Sequence, residues 1–410
     1  PSPSRPVLEI SGASFRPTPL AVQPVPGAPA LSETLLRDLD LSGLFELVDP
    51  KSFLAEPPGA GLEAKSIAFP NWAAVGADHL LKGAAAGDDR TGWRVDLRLY
   101  QVATAKEVLK ATYAVKTPEL RSAAHEFADR VYRYFTNEVG IFRTRVAFVR
   151  KSGEGSKEVW LSDLDGRNAA AVAAGGGLNL LPAFGPDGRH LAFTSFRTGA
   201  PMCHLLDLQT KAVRPFPAKG ELQTGAAFSP DGKRIALTIS LNGNSDIWVM
   251  NADGTGLKNL TDSRETESSP AWSPDGRRIA FVSTRSGEPQ IHVMNADGTG
   301  VTRLTTQGRY NQTPDWSPRG DVIAFTGRDE RNVFDLFTVN VETRQIKRLT
   351  QDEGHNEEPS FSPNGRHLLF VSTREGGRRH LWVMNADGSH PRPLGIADAT
   401  TPAWGPGAAK

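Results

Sequence analysis

The sequence predicts an N-terminal α/β domain over residues 1–142, followed by a six-bladed β-propeller over residues 143–410 with four antiparallel strands per blade. Three observations carry this expectation. A short word, Pro-x-aromatic-(Ser/Gly)-Pro-Asp-Gly in its full form at Pro182 and Pro270, recurs six times with replacements elsewhere, its aromatics at Phe184, Phe228, Trp272, Trp316, Phe361 and Trp404. Each repeat holds four short runs separated by turn residues. Upstream of Phe142 the period vanishes and helical spacing takes its place.

The aromatics stand 44, 44, 44, 45 and 43 residues apart. Inside each repeat a Pro-Asp-Gly turn leads into an apolar run such as Arg278-Ile-Ala-Phe-Val282. A second run follows, such as Ile247-Trp-Val-Met250, and an Asn-Ala-Asp-Gly turn closes it at Asn251, Asn295 and Asn385. A brief Arg-Leu-Thr piece ends the unit. Four β-branched or aromatic runs bounded by Gly, Pro, Asn and Asp read as four antiparallel strands, and a unit of this length is a propeller blade. The first apolar run, Arg145-Val-Ala-Phe-Val149, has no Pro-x-aromatic word before it, and the last word, Pro402-Ala-Trp404, has nothing after it. Pairing the two completes a sixth blade and removes the exposed edges of an open stack.

In the first domain, Val7–Ile10, Leu20–Val22 and Phe45–Val48 read as short strands. Ser32 is expected to cap a helix carrying Leu35, Leu36 and Leu39 and ended by Gly43. Pro70 and Trp72 open a short helix, and His79-Leu-Leu81 is extended. Trp93–Tyr100 alternates, which predicts a strand with one buried face, and Glu107–Val115 is expected to pair with it. Thr117 as N-cap and Pro118 at the first turn begin the last helix, with Leu120, Ala124, Phe127, Val131, Tyr134 and Phe135 on one face.

Composition narrows the function classes. Forty-seven basic and 46 acidic side chains leave a net charge of +1, so no nucleic-acid or membrane-surface role is expected. No run promises direct membrane insertion. One cysteine, Cys203, excludes an internal disulfide framework and paired-thiolate zinc. Nucleophile-elbow, phosphate-loop and His-Glu-x-x-His patterns are absent from the sequence, so no catalytic residue is assigned, and no cofactor or metal is expected.

The nearest chemical fragments have plainer readings. His125, Glu126, Asp129 and Arg130 read as the exposed face of the last helix. Cys203 and His204 are neighbours on a strand and point to opposite faces, so the thiol is expected to pack. His355, Glu357 and Glu358 read as a solvated loop before a strand, with a cation at the channel mouth as the rarer possibility. Asn-Ala-Asp-Gly supplies turn chemistry rather than a calcium loop. Trp248, Trp272, Trp316 and Trp382 recur with the blades and are expected between them.

The order of domains, the blade word Ser-Pro-Asp-Gly-x-x-Ile-Ala-Phe, the junction Gly140-Ile-Phe-Arg-Thr-Arg145 and the segment Asp38–Phe45 together resemble the TolB family of the Tol-Pal envelope system. The resemblance covers nearly the whole chain. It implies a monomeric, non-catalytic periplasmic adaptor supporting outer-membrane integrity and cell division. It also implies a propeller funnel face that docks the lipoprotein Pal, and an N-terminal segment offered to TolA, the two contacts being coupled. Carried onto this chain, the Pal-facing positions would be Leu180, Leu222, Gly225, Ser268 and Ser269, with Thr313, Glu357 and Glu358 added by repeat symmetry. The TolA-facing segment would contain Val7, Leu8, Glu9 and Ile10. A small-ligand or sugar-binding propeller is the alternative, and it would need polar groups and aromatics converging inside the funnel. A propeller-lidded hydrolase would need a second catalytic domain and a nucleophile elbow.

Overall fold

A computed structural model describes residues 16–54, 61–217 and 220–407 of the chain. They form two compact units, Pro1–Arg143 and Thr144–Lys410. Val7–Ile10 lie outside the described residues.

The first unit is a five-stranded sheet with helices. In chain order it comprises β1 (Thr18–Val22), α1 (Pro29–Leu41), β2 (Phe45–Leu47), α2 (Phe69–Ala74), β3 (His79–Asp88), β4 (Gly92–Gln101), β5 (Lys106–Val115) and α3 (Leu120–Thr136). The sheet order is β2-β1-β3-β4-β5. β1 runs parallel to β2 and β3, and the remaining pairs are antiparallel hairpins. β4 buries Val95, Leu97 and Leu99 on one face, as its alternation requires. Tyr100, on the opposite face, is buried with Leu80, Phe69 and Trp72, and its hydroxyl donates to the Leu62 carbonyl.

Two helix starts differ from expectation. Ser32 sits within α1 rather than at its cap, because Pro29 at the first turn already fixes the start. Its hydroxyl instead accepts the Val25 N–H at 2.8 Å and donates to the Ala28 carbonyl. Thr117 likewise lies inside a 3₁₀ turn, Thr117–Glu119, whose cap is Lys116. There the Glu119 carboxylate accepts the Lys116 N–H at 2.8 Å, and Thr117 turns its hydroxyl to Asp89.

α3 buries Leu120, Ala124, Phe127, Val131 and Phe135, and Phe135 meets Phe45 edge-on at 5.0 Å. The expected exposed face is a second correction. His125 and Asp129 are buried, and only Arg130 of the group stands in solvent. His125 Nδ1 pairs with Asp38 Oδ2 at 2.7 Å, which joins α3 to α1. Asp129 accepts the Phe142 N–H at 3.0 Å and the Arg143 Nε–H at 2.8 Å. Burial raises the Asp129 carboxyl, against the pull of Arg143. Polar side chains with fixed partners of this kind leave no periodic trace in a sequence.

The second unit is six four-stranded antiparallel sheets. Blade I comprises Asn179–Phe184, His190–Ser195, Met202–Asp207 and Val213–Pro215. Blades II to V begin with the inner strands Leu222–Phe228, Glu267–Trp272, Asn311–Trp316 and Asn356–Phe361. Blade VI is assembled from both chain ends: Ala399–Trp404 pairs with Arg145–Gly153 in the register Trp404↔Val146 and Thr400↔Val149. Six blades and their mode of closure are as the repeat predicts.

The core lies between neighbouring blades. Trp272 packs on Ala236, Ile247 and Val249 of blade II, and Trp316 on Val282 and Ile291 of blade III. Cys203 is fully buried, and the loss of water pushes its thiol up to about 12, so it is an inert packing group. His204, its neighbour, stacks on Phe193 at 5.6 Å. The Asn-Ala-Asp-Gly turns are built as turns: the Asp253 carboxylate accepts both the Thr255 N–H at 2.9 Å and its hydroxyl at 2.7 Å. The Pro-Asp-Gly turns serve the joints as well. A Cβ at Gly188, where φ is +64°, would stand 3.3 Å from the Pro406 ring of blade VI.

Candidate functional site

The six inner strands enclose a central channel of about 500 Å³. Each strand carries the same irregularity: its register slips just before the aromatic, between Thr224 and Ala227, Ser268 and Ala271, Gln312 and Asp315, Glu357 and Ser360, and Thr400 and Ala403. Blade I slips opposite Ala192–Thr194. In five blades a proline follows the slip, where its missing N–H leaves no ladder bond unmade.

The residue three before each aromatic adopts positive φ. These residues are Leu181 (51°), Gly225 (60°), Ser269 (55°), Thr313 (50°), Glu358 (57°) and Thr401 (45°), and all six line the channel. A left-handed backbone costs a non-glycine residue about 1–2 kcal/mol. Here five non-glycine side chains bear it, so the bulge is an architectural device that re-aims one residue per blade. One backbone shape thus presents six different side chains.

Of the residues expected on the partner face, Gly225, Ser268, Ser269, Thr313 and Glu358 line this channel. Three others stand elsewhere. Leu180 packs into the core between blades VI and I. Leu222 begins its strand opposite Ser240, further up the blade. Glu357 is buried, opposite Val371, with its carboxylate 3.1 Å from Arg379 Nη2. The expectation of a solvated loop at His355, Glu357 and Glu358 is corrected: the inner strand starts at Asn356 and contains both glutamates. His355 Nδ1 accepts the Phe334 N–H at 3.2 Å. Leu181, Thr401 and Asp315 are channel residues that sequence reasoning missed. A constant offset of three from each aromatic would have found the first two.

The joints between blades are closed by hydrogen bonds at this ring. Thr238 Oγ1 accepts the Ser269 N–H at 3.3 Å, and Thr326 Oγ1 accepts that of Glu358 at 2.9 Å. Val371 replaces the threonine in blade V, and there the Glu358 carboxylate takes the Thr401 N–H at 2.6 Å instead. One residue before the aromatic, Asp315 Oδ2 accepts the Phe361 N–H at 2.6 Å, and Ser360 Oγ accepts that of Trp404 at 3.0 Å. The other blades have alanine there.

Asp315 and Glu358 are the only ionisable side chains among the described lining residues. Desolvation in the channel pushes the Asp315 carboxyl up to about 7 and raises that of Glu358. Both are engaged by backbone N–H groups of the following blade. The channel indoles are engaged too: Trp272 Nε1 donates to Ala227 O at 3.2 Å, Trp316 Nε1 to Gly320 O at 3.3 Å and Trp404 Nε1 to Thr144 Oγ1 at 2.8 Å. All three indoles are nearly buried at the joints between blades, as expected of packing residues.

Residues 132–408 match the TolB beta propeller domain, and residues 6–108 match the TolB amino-terminal domain. Among curated proteins, the "Tol-Pal system protein TolB" of Anaeromyxobacter dehalogenans is 46% identical over 52% of this chain and 50% of its own length. That of Myxococcus xanthus is 49% identical over 48% of this chain and 46% of its own. The chain spans about half the length of the curated relatives it matches. The crystal structure of TolB from Acinetobacter baumannii superposes with a TM-score of 0.83 at 27% identity, covering 95% of this chain and 97% of that one. Among the described residues no helix is long and apolar enough to cross a membrane.

Proposed function

Because the chain belongs to the TolB propeller family, we propose that it serves the Tol-Pal system as a non-catalytic periplasmic adaptor supporting outer-membrane integrity and cell division. Its propeller funnel docks the lipoprotein Pal, and its N-terminal segment, Val7–Ile10 included, engages TolA. The observation that supports a docking face most directly is the ring of six re-aimed residues. Their backbones are equivalent while their side chains run Leu, Gly, Ser, Thr, Glu and Thr. A repeated shape with unrepeated chemistry fixes the orientation of an asymmetric partner on a nearly six-fold scaffold.

Ser269 and Thr313 sit on this ring with their side chains in the channel, so a bulky substitution there obstructs the mouth. Calorimetry with purified Pal tests the reading: Ser269→Arg is expected to weaken binding at least tenfold while the melting temperature holds. Deleting Pro1–Ile10 is expected to change Pal affinity if the two contacts are coupled, because coupling is reciprocal. Absence of Pal binding to the intact chain overturns the proposal, and unchanged affinity after the deletion overturns the coupling.

A further inference from the structure

Beside the channel, a separate cleft of about 810 Å³ opens over blade VI, lined by Val149, Lys151, Glu154, Lys157, Asp398 and Arg379 among others. Two of these residues form an unusual pair. In the hairpin of Arg145–Gly153 and Ser156–Asp163, Lys151 stands directly opposite Lys157. Directly opposed side chains on an antiparallel pair have Cβ atoms about 4.5–5.5 Å apart, and like charges there are destabilising. The adjacent register pair, Arg150↔Glu158, is of opposite sign, as stability favours.

Among the described residues no ion pair joins either ammonium to a carboxylate, Glu154 and Asp398 included. Glu358 feels Lys157 only as a weaker field, ranked behind its own desolvation and its bond to Thr401. Arg379, on the far wall, is held by Glu357 at 3.1 Å. The cleft therefore has two ammonium groups that, among the described residues, are not paired with a carboxylate, one exposed and one half-buried.

From this geometry we infer that Lys151 and Lys157 form a docking site for an acidic polypeptide segment of a protein partner. The inference rests on the adaptor reading and gives it a second contact outside the channel. The size of the cleft suits several residues of extended chain, being many times the roughly 30 Å³ of a water molecule. Glu154 and Asp398 at its margins disfavour a compact multivalent anion, while a chain can set its carboxylates against the lysines and turn other side chains to the acids. Charge pairing of this kind mainly accelerates encounter and fixes register, and salt screens it.

Calorimetry of the whole chain with a hexaglutamate peptide at low salt tests the site. Binding is expected, about tenfold weaker in the Lys151→Gln/Lys157→Gln double variant and lost in about 0.5 M salt. An unchanged melting temperature confirms that the variant is folded. No binding of hexaglutamate, equal binding by the double variant, or inorganic phosphate binding as tightly as the peptide each overturns the inference. A second arm with Pal separates the two proposals. Equal Pal affinity for wild type and double variant removes the lysines from that interface and leaves the adaptor reading standing. Absence of Pal binding to both, with hexaglutamate behaving as expected, removes the adaptor reading and leaves the acidic-segment site.

Discussion

Trp404 Nε1 donates to Thr144 Oγ1 at 2.8 Å across a separation of 260 residues, binding the last strand of the ring to its first residue. Pairing of Trp404 with Val146, and contact of Pro406 with the turn at Gly188, reinforce the same joint. Closure thus uses a ladder, a buried indole and a hydrogen bond together, and it covers the edge that Arg145–Gly153 would otherwise expose.

Thr144→Val is expected to leave the buried indole N–H without an acceptor and to lower stability by about 1–3 kcal/mol. Trp404→Ala removes a side chain only 7% exposed and is expected to lose about 3–5 kcal/mol. Urea unfolding curves read both. Equal stability of Thr144→Val and wild type would mean that the ladder alone holds the joint.

Thr326 carries the next prediction. Its fully buried hydroxyl accepts the Glu358 N–H at 2.9 Å and meets the Thr313 hydroxyl at 2.7 Å. Thr326→Val keeps shape and volume but takes the acceptor from a backbone group in the left-handed region, and is expected to lower stability by about 1–3 kcal/mol. Thr326→Ser, which keeps the oxygen, is expected to lose less. The reverse order would assign the role to the methyl group.

The two scales of this architecture differ in how far the residues announce them. Blade number and closure follow from the aromatic spacing and from the unmatched runs at Arg145–Val149 and Pro402–Trp404, since strand period and turn chemistry are local. The ring of left-handed residues is not announced, because Leu181, Ser269, Thr313, Glu358 and Thr401 are not residue types that signal positive φ. The bulge belongs to the pairing of each inner strand with its neighbour, and blade II forms it with Ala226 in place of proline. Asp129 and His125 escaped for a related reason: their partners, Arg143 and the buried Asp38, are fixed by tertiary packing and not by helical spacing.

Asp315 predicts a pH dependence of definite sign. Its carboxyl lies at about 7 in the folded chain against an ordinary value of 3.8, so the folded state holds the proton more tightly than the unfolded state. Its contribution is most favourable below pH 3.8, falls as pH rises to about 7 and is constant above. Asp315→Asn cannot ionise and can still accept the Phe361 N–H. Relative to wild type, it is expected to gain on the order of 4 kcal/mol between pH 4 and pH 8. Denaturant unfolding at both pH values measures the difference, and a constant gap between the two proteins would refute the raised carboxyl.

Blades III and V offer a paired comparison, with the same arginine position facing different partners. Arg285 lies over Phe281 and binds Glu267, which is fully buried and also accepts the Ser283 hydroxyl at 2.7 Å. Arg374 lies over Phe370 and Trp382 and binds Ser372, the neutral Asn356 and, at 3.0 Å, the exposed carboxylate of Glu353. Arg285→Ala strands a carboxylate in the core and is expected to lower stability by about 3–5 kcal/mol. Arg374→Ala strands amide and hydroxyl oxygens and leaves the exposed Glu353 carboxylate to water, for an expected loss of about 1–3 kcal/mol. Both lose the same stem and a ring contact, and Arg374 loses its contact with Trp382 besides, so a larger loss at Arg285 points to the buried charge. Adding Glu267→Gln to Arg285→Ala is then expected to recover part of the loss, since it removes the stranded charge and keeps a polar group of the same shape. Failure of that rescue in unfolding measurements would place the energy in the packing of the arginine stem over Phe281 instead.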